Sequence, residues 1–203
     1  MTKVSWSAVV RVAGAAALIL SSVSCGDLTR EGTSSSYLII TALEASSGAE
    51  DGEFGGTLTS DVITVVDDEA GVYADIGRVQ FALGLKDPGA PASPASPTQN
   101  NFITVERYRV RYTRSDGRNT EGVDVPYAFD GAFTATVSGS TTAGFIIVRH
   151  QAKQEAPLRA LVSNGIIVST IAEVTFYGHD QTGREVSVMG KILITFGNFA
   201  DPT

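Results

Sequence analysis

Sulfur is scarce in this 203-residue chain, which has one cysteine, Cys25, and two methionines. A single cysteine excludes any intramolecular disulfide, so the fold must be held by its core. Histidine is nearly as rare. His150 and His179 are far apart, with no H-x-x-x-H or Cys-His spacing, so the sequence predicts no metal site and no cofactor. The single tryptophan is Trp6, so the Cys…Trp…Cys pattern of antibody domains is absent. No apolar run is long enough to span a membrane. The best, Val12 to Leu20 (VAGAAALIL), falls short of the roughly 20 residues required, and extending it back to Ala8 takes in Arg11. Basic residues are also few, 15 against 22 acidic, for a formal charge of −7. Such a chain is repelled by nucleic acid and by anionic membrane surfaces, so neither is an expected partner by charge.

The N-terminus does carry a pattern. Lys3 and Arg11 are followed by the apolar stretch and then by small residues from Ser21 to Ser24, the three parts of an export signal over residues 1–24. Ser22-Val23-Ser24-Cys25 resembles the lipobox of bacterial lipoproteins, with Ser22 where that family commonly has leucine. The resemblance implies lipidation at Cys25 and a membrane-anchored location in the cell envelope. Gly26 in place of aspartate implies the outer membrane in a didermal cell. Ser22 and Ser24 also suit ordinary signal peptidase, which would leave a soluble secreted or periplasmic protein. Loss of Lys3 and Arg11 leaves 13 basic against 22 acidic residues. Residues 25–36 then read as the lipidated cysteine and a polar tether (GDLTREGTSSS), with a reach of about 18 Å if coil-like.

From Tyr37 to Thr203 the dominant period is two, and one domain is expected. Tyr37 to Leu43 reads as a strand apolar on both faces. Val79, Phe81, Leu83 and Leu85 face one way with Arg78, Gln80 and Lys86 on the other side, and Tyr108, Val110 and Tyr112 alternate with Arg107, Arg109 and Arg111. The stretch 172–196 reads as a hairpin turning at His179 to Arg184, with Gly183 supplying a positive φ. Only Lys153 to Val162 reads as helix, stopped by Asn164-Gly165. About eight strands and one short helix predict an all-β antiparallel β-sandwich. The strand–D-x-x-G–strand ending, preceded by ERYRVRY, resembles bacterial immunoglobulin-like and fibronectin-type modules. Residues 87–100 (DPGAPASPASPTQN) hold four of the seven prolines and read as a long exposed loop within that domain.

Motifs for chemistry are few. There is no G-x-S-x-G elbow, phosphate loop or dinucleotide fingerprint, so no catalytic residue is assigned. The acidic clusters Glu50-Asp51-Glu53 and Asp67-Asp68-Glu69 read as solvated loop charge rather than calcium ligands. Two features are candidate ligand or partner surfaces. Arg107, Arg109 and Arg111 would suit an anionic glycan or headgroup, or else an exposed face neutralised by cross-strand acids such as Glu173. Tyr127 and Phe129 beside Pro126 would suit a glycan, or else plug one end of the fold. The expected function is a cell-envelope lipoprotein with a non-enzymatic binding or structural role, with an envelope protein or glycan as partner. A carbohydrate-binding module is the alternative, and a small hydrolase the second.

Overall fold

The alternation along the chain resolves into two main sheets with a shared core. The computed structural model describes residues 33–49, 53–66 and 69–199. The signal, Cys25 and most of the tether lie outside the described residues, as do Glu50, Asp51, Asp67 and Asp68. One sheet has three strands: β1 (Ser36–Ser46), β5 (Asp75–Leu85) and β10 (Ser140–Val148), in the order β1-β5-β10. The other has five: β2 (Thr57–Asp61), β8 (Ile103–Thr113), β9 (Phe129–Val137), β11 (Val168–Asp180) and β12 (Glu185–Gly197), in the order β2-β12-β11-β8-β9. All neighbours are antiparallel except β2, which pairs in parallel with β12. Two small ladders, β3 (Thr64–Val66) with β4 (Glu69–Gly71) and β6 (Gly89–Ala90) with β7 (Ser93–Pro94), bring the described strands to twelve rather than about eight. These extra pieces have two or three residues each, too short for a period to register in sequence.

Side chains of the two sheets meet between them. Phe81 on β5 packs edge-on against Phe176 on β11, with ring centroids 5.1 Å apart. Phe145 on β10 lies 5.3 Å from Phe176 and 5.1 Å from Tyr108 on β8. Edge-to-face rings at such spacings add to plain area burial. Two tyrosines on β8 also make polar links across the core. The Tyr112 hydroxyl donates to the Ile147 carbonyl at 2.6 Å, and the Tyr108 oxygen accepts from the Ile146 N–H at 3.2 Å. Otherwise apolar surroundings make those bonds necessary, because an unpaired buried hydroxyl is costly.

Two expectations change in detail. β1 is apolar on both faces in sequence, yet only the even-numbered face turns inward along its first half, with Leu38 buried and Ile40 packed against the core, while Tyr37 and Ile39 are exposed. A register shift between Ile40 and Ala42 then re-aims the strand. The helix expected over Lys153 to Val162 forms as two pieces, α1 (His150–Gln154) and α2 (Leu161–Asn164), with a 3-10 turn at Leu158–Ala160 between them. Pro157 has no N–H to continue α1 and disfavours helical backbone at Ala156, so the segment breaks there. Gly165, at φ +62°, ends α2.

The strand directions give the molecule two distinct ends. Ser35 and Ser36 lie at the end where β8 and β12 begin: the Asn101 amide donates to Ser35 Oγ at 2.9 Å, and Ser36 pairs with Leu85. Asp180, paired with Ile103, lies at the same end. The helical segment lies at the other end, where β1, β8, β10 and β12 finish and β5 and β11 begin. The eleven residues of β1 separate the two by roughly 33 Å.

Candidate functional site

The helical end is built on a buried ion pair. Lys153 of α1 donates from Nζ to Asp75 Oδ1 at 2.8 Å, with the two side chains 1% and 0% exposed. Asp75 opens β5. Its Oδ2 accepts from the Ser60 hydroxyl at 2.6 Å, and its Oδ1 also accepts from the Gly48 N–H at 3.3 Å. Burial pushes the Asp75 carboxyl above the usual aspartate value, against the opposing pull of Lys153, Ser60 and Gly48. The Tyr112 phenol is pushed up as well, chiefly by burial and secondarily by the nearby Asp75 charge. Leu158 and Leu161, from the same helical segment, are buried in the core. Sequence reading missed this cluster, although a signal existed: Asp75 shares the inward parity of Val79 and Phe81 along β5.

A serine within hydrogen-bond reach of a carboxylate is the arrangement that a small hydrolase would require. Here Ser60 and Asp75 are both 0% exposed, so no substrate atom reaches the pair in this conformation. Its evident work is to fasten α1 to β5 and β2.

Depressions open on both sides of the helical segment. One, of about 630 Å³, is lined by Val62, Ile63, Val72, Lys153, Gln154, Arg159, Val162 and Ser163. The other, of about 670 Å³, is lined by Gly122, Tyr127, Gln154, Glu155, Ala156, Arg159 and Ala160. The far wall of the second is the β8–β9 loop, which is tied to itself. Arg114 pairs with Asp116 at 2.6 Å, Arg118 pairs with Asp124 at 3.1 Å, and the Gly122 N–H donates to the Val125 carbonyl at 2.8 Å. Gly122 sits at φ +75°, and a Cβ there would collide with the phenol end of Tyr127. Glycine thus lets the Tyr127 ring lie against the loop with 49% of the residue exposed.

Phe129 is not part of that surface. It is 7% exposed on β9, packs edge-on against Tyr108 at 6.2 Å and lies under the Arg149 guanidinium at 4.6 Å. Opposite Val110 in the register, its side chain shares the inward parity that buries Val110. Of the two aromatic candidates, only Tyr127 offers a face to solvent.

Arg107, Arg109 and Arg111 do line the outer face of the five-stranded sheet, but each has a neighbour. Arg109 pairs with Asp130 at 2.9 Å, and Arg111 approaches Glu173 at 3.8 Å. Glu173 also accepts from Lys191 at 2.8 Å. That hydrogen bond, aided by the charges of Lys191 and Arg111, holds the Glu173 carboxyl below its usual value. Arg107 stacks on the Tyr177 ring at 4.2 Å. These are cross-strand pairs on an open sheet face, each worth about 1 kcal/mol or less.

The histidines stand apart from any nucleophile pairing. His150 is exposed at the start of α1. His179 lies at the opposite end of the fold, 3.0 Å from the Asp180 carbonyl and 3.2 Å from Glu106. The backbone contact at Asp180 and then the Glu106 carboxylate raise its affinity for a proton. An NMR titration is therefore expected to place the His179 midpoint above 6.5 and, in Glu106→Gln, to move it down. Because the folded value is the raised one, the small stabilisation from this ion pair is complete below pH 6.5 and fades as pH rises through the folded midpoint. Asp180 behaves oppositely. Burial pushes it up, but Thr182, the Arg184 N–H and Ser34 outweigh burial and hold it low, so its contribution is lost only in acid.

No protein-family model matches the chain, and a search of curated proteins returns no match. The geometry of the helical end therefore carries the functional argument.

Proposed function

We propose that the chain is an exported, lipid-anchored binding module of the bacterial cell envelope, without catalytic activity. Cys25 would be its anchor, residues 26–33 its tether, and the helical end its recognition surface. The fold from Tyr37 onward is read more finely as a β-sandwich of immunoglobulin-like or fibronectin-type wiring. Support for that wiring comes from the strand orders β1-β5-β10 and β2-β12-β11-β8-β9, with the early strand β2 running parallel to the last. The place of the antibody disulfide, between the second strand of one sheet and the central strand of the other, would be taken by Phe81 and Phe176.

The observation that carries the functional reading is the polarity of the domain. The tether leads into Ser34–Ser36 at one end, and the depressions around Gln154 and Arg159 lie at the other. A module held to a membrane by its N-terminus would present that far end outward. Expression in a didermal bacterium followed by fractionation tests the anchor. Wild-type protein is expected in the membrane pellet and resistant to salt and carbonate, with Cys25→Ser released into the soluble fraction. Two acyl chains or more hold a protein stably where one does not, so the shift should be nearly complete. Equal pelleting of Cys25→Ser, or a soluble wild type, would overturn the anchor.

A further inference from the structure

We infer that the depression between Tyr127 and the α1 segment is a binding site for a neutral saccharide. The inference rests on the binding-module reading and names the ligand class of its outward end. Its first support is the inventory of side chains. Tyr127 presents a half-exposed ring, while Gln154, Glu155 and Arg159 supply an amide, a carboxylate and a guanidinium around the same hollow. Among the described residues none of these four side chains has a hydrogen-bond or ion-pair partner, in contrast to the arginines of the outer sheet face.

The second support is that both walls are held in place. The loop wall is closed by the Arg118–Asp124 pair and the Gly122–Val125 bond. The helical wall is fastened through Lys153, next to Gln154, to Asp75 in the core. Backbone walls fastened in this way need no reordering when a ligand arrives, so the entropy lost is confined to the free side chains. The volume, about 670 Å³, suits a ligand of one or two sugar rings.

Chemistry then selects the class. Glu155 and Arg159 bring opposite charges, so the site favours neither an anion nor a cation, and the −7 chain as a whole disfavours polyanions. A purely apolar ligand would leave three planar polar groups desolvated and unpaired. A pyranose satisfies both demands: its C–H face lies on the tyrosine ring, and adjacent hydroxyls accept from Arg159 and Gln154 and donate to Glu155.

The test uses the full chain in detergent on an array of neutral hexose, N-acetylhexosamine and uronate oligosaccharides, followed by calorimetry on the best ligand. Saturable binding to a neutral glycan is expected. Tyr127→Ala should weaken it about tenfold or more, while Tyr127→Phe, which keeps the ring, should stay within about threefold. Gln154→Ala and Arg159→Ala should each weaken it about fivefold or more, and decide the matter if Tyr127→Ala lowers the melting temperature. Thr142→Ala, on the three-stranded sheet, serves as the control. Binding to none of the neutral glycans, preference for uronates, or full affinity in all three alanine variants would overturn the site. Such a failure would leave the Cys25 fractionation result untouched, so loss of the ligand assignment and loss of the envelope reading are distinguishable.

Discussion

Lys153→Met is expected to destabilise the fold by about 3–5 kcal/mol, because it leaves the Asp75 carboxylate buried with only Ser60 and Gly48 as partners. In a domain of this size that corresponds to a fall of roughly 6–20 °C in melting temperature. Asp75→Leu should be at least as damaging, since it strands an ammonium that is 1% exposed and removes the acceptor for Ser60 as well. The double variant Lys153→Met/Asp75→Leu removes both charges and should recover much of the loss, because a buried ion pair gains little over an apolar pair of similar volume. Urea unfolding of the four proteins measures the coupling directly. Amide exchange adds a spatial readout: in Lys153→Met, protection should fall first across residues 150–164, the segment the pair fastens. A Lys153→Met protein as stable as wild type would show that the pair does not hold this end together.

The coupling matters for function because Gln154 follows Lys153 in α1 and lines both depressions. A charge pair closed to solvent has no route to a ligand, yet it fixes the rotation of the short helix that carries the exposed amide. Stability and recognition thus meet in neighbouring residues, one turned inward and one outward. The same division appears on β8, where Tyr108 and Tyr112 reach across the core while Arg107, Arg109 and Arg111 face water.

Much of the β-architecture was legible because alternation is a local signal. Ala172, Val174 and Phe176 turn inward along β11 as their spacing predicts, and the β11–β12 turn places Gly183 at φ +83°. Sheet membership was less legible. β9 and β10 follow one another closely in sequence but belong to different sheets, and no residue pattern at Ser138-Gly139 announces that crossing. The site was read only in part. Tyr127 stood out as a loop aromatic, but Phe129, two residues on, proved to be core because β9 begins at that position. Gln154, Glu155 and Arg159 are ordinary helix-surface residues until the fold brings them opposite Tyr127. Asp75 and Lys153 were missed because seventy-eight residues separate them, and a lone charge in a strand is usually solvated.

Phe176→Ala is expected to cost about 3–5 kcal/mol, a large share of the roughly 5–15 kcal/mol that holds a domain folded. The ring touches Phe81 and Phe145 from the three-stranded sheet and Tyr108 and Phe133 from its own, at centroid distances from 5.1 to 6.4 Å. Removing it opens a cavity that neither sheet can fill without breaking its ladder, so relaxation should be small and the cost near the top of the range. Phe81→Ala removes the partner at 5.1 Å, and the two losses should not add. A coupling of about 0.5–1.5 kcal/mol is expected from the edge-to-face contact, measured by urea unfolding of both single variants and the double. On the proposed wiring this contact joins the strands that antibody domains join by a disulfide, in a chain whose only cysteine is Cys25. A Phe176→Ala protein that loses less than about 1 kcal/mol would show that the sheets are held together elsewhere, by the Tyr112–Ile147 and Tyr108–Ile146 bonds rather than by the rings.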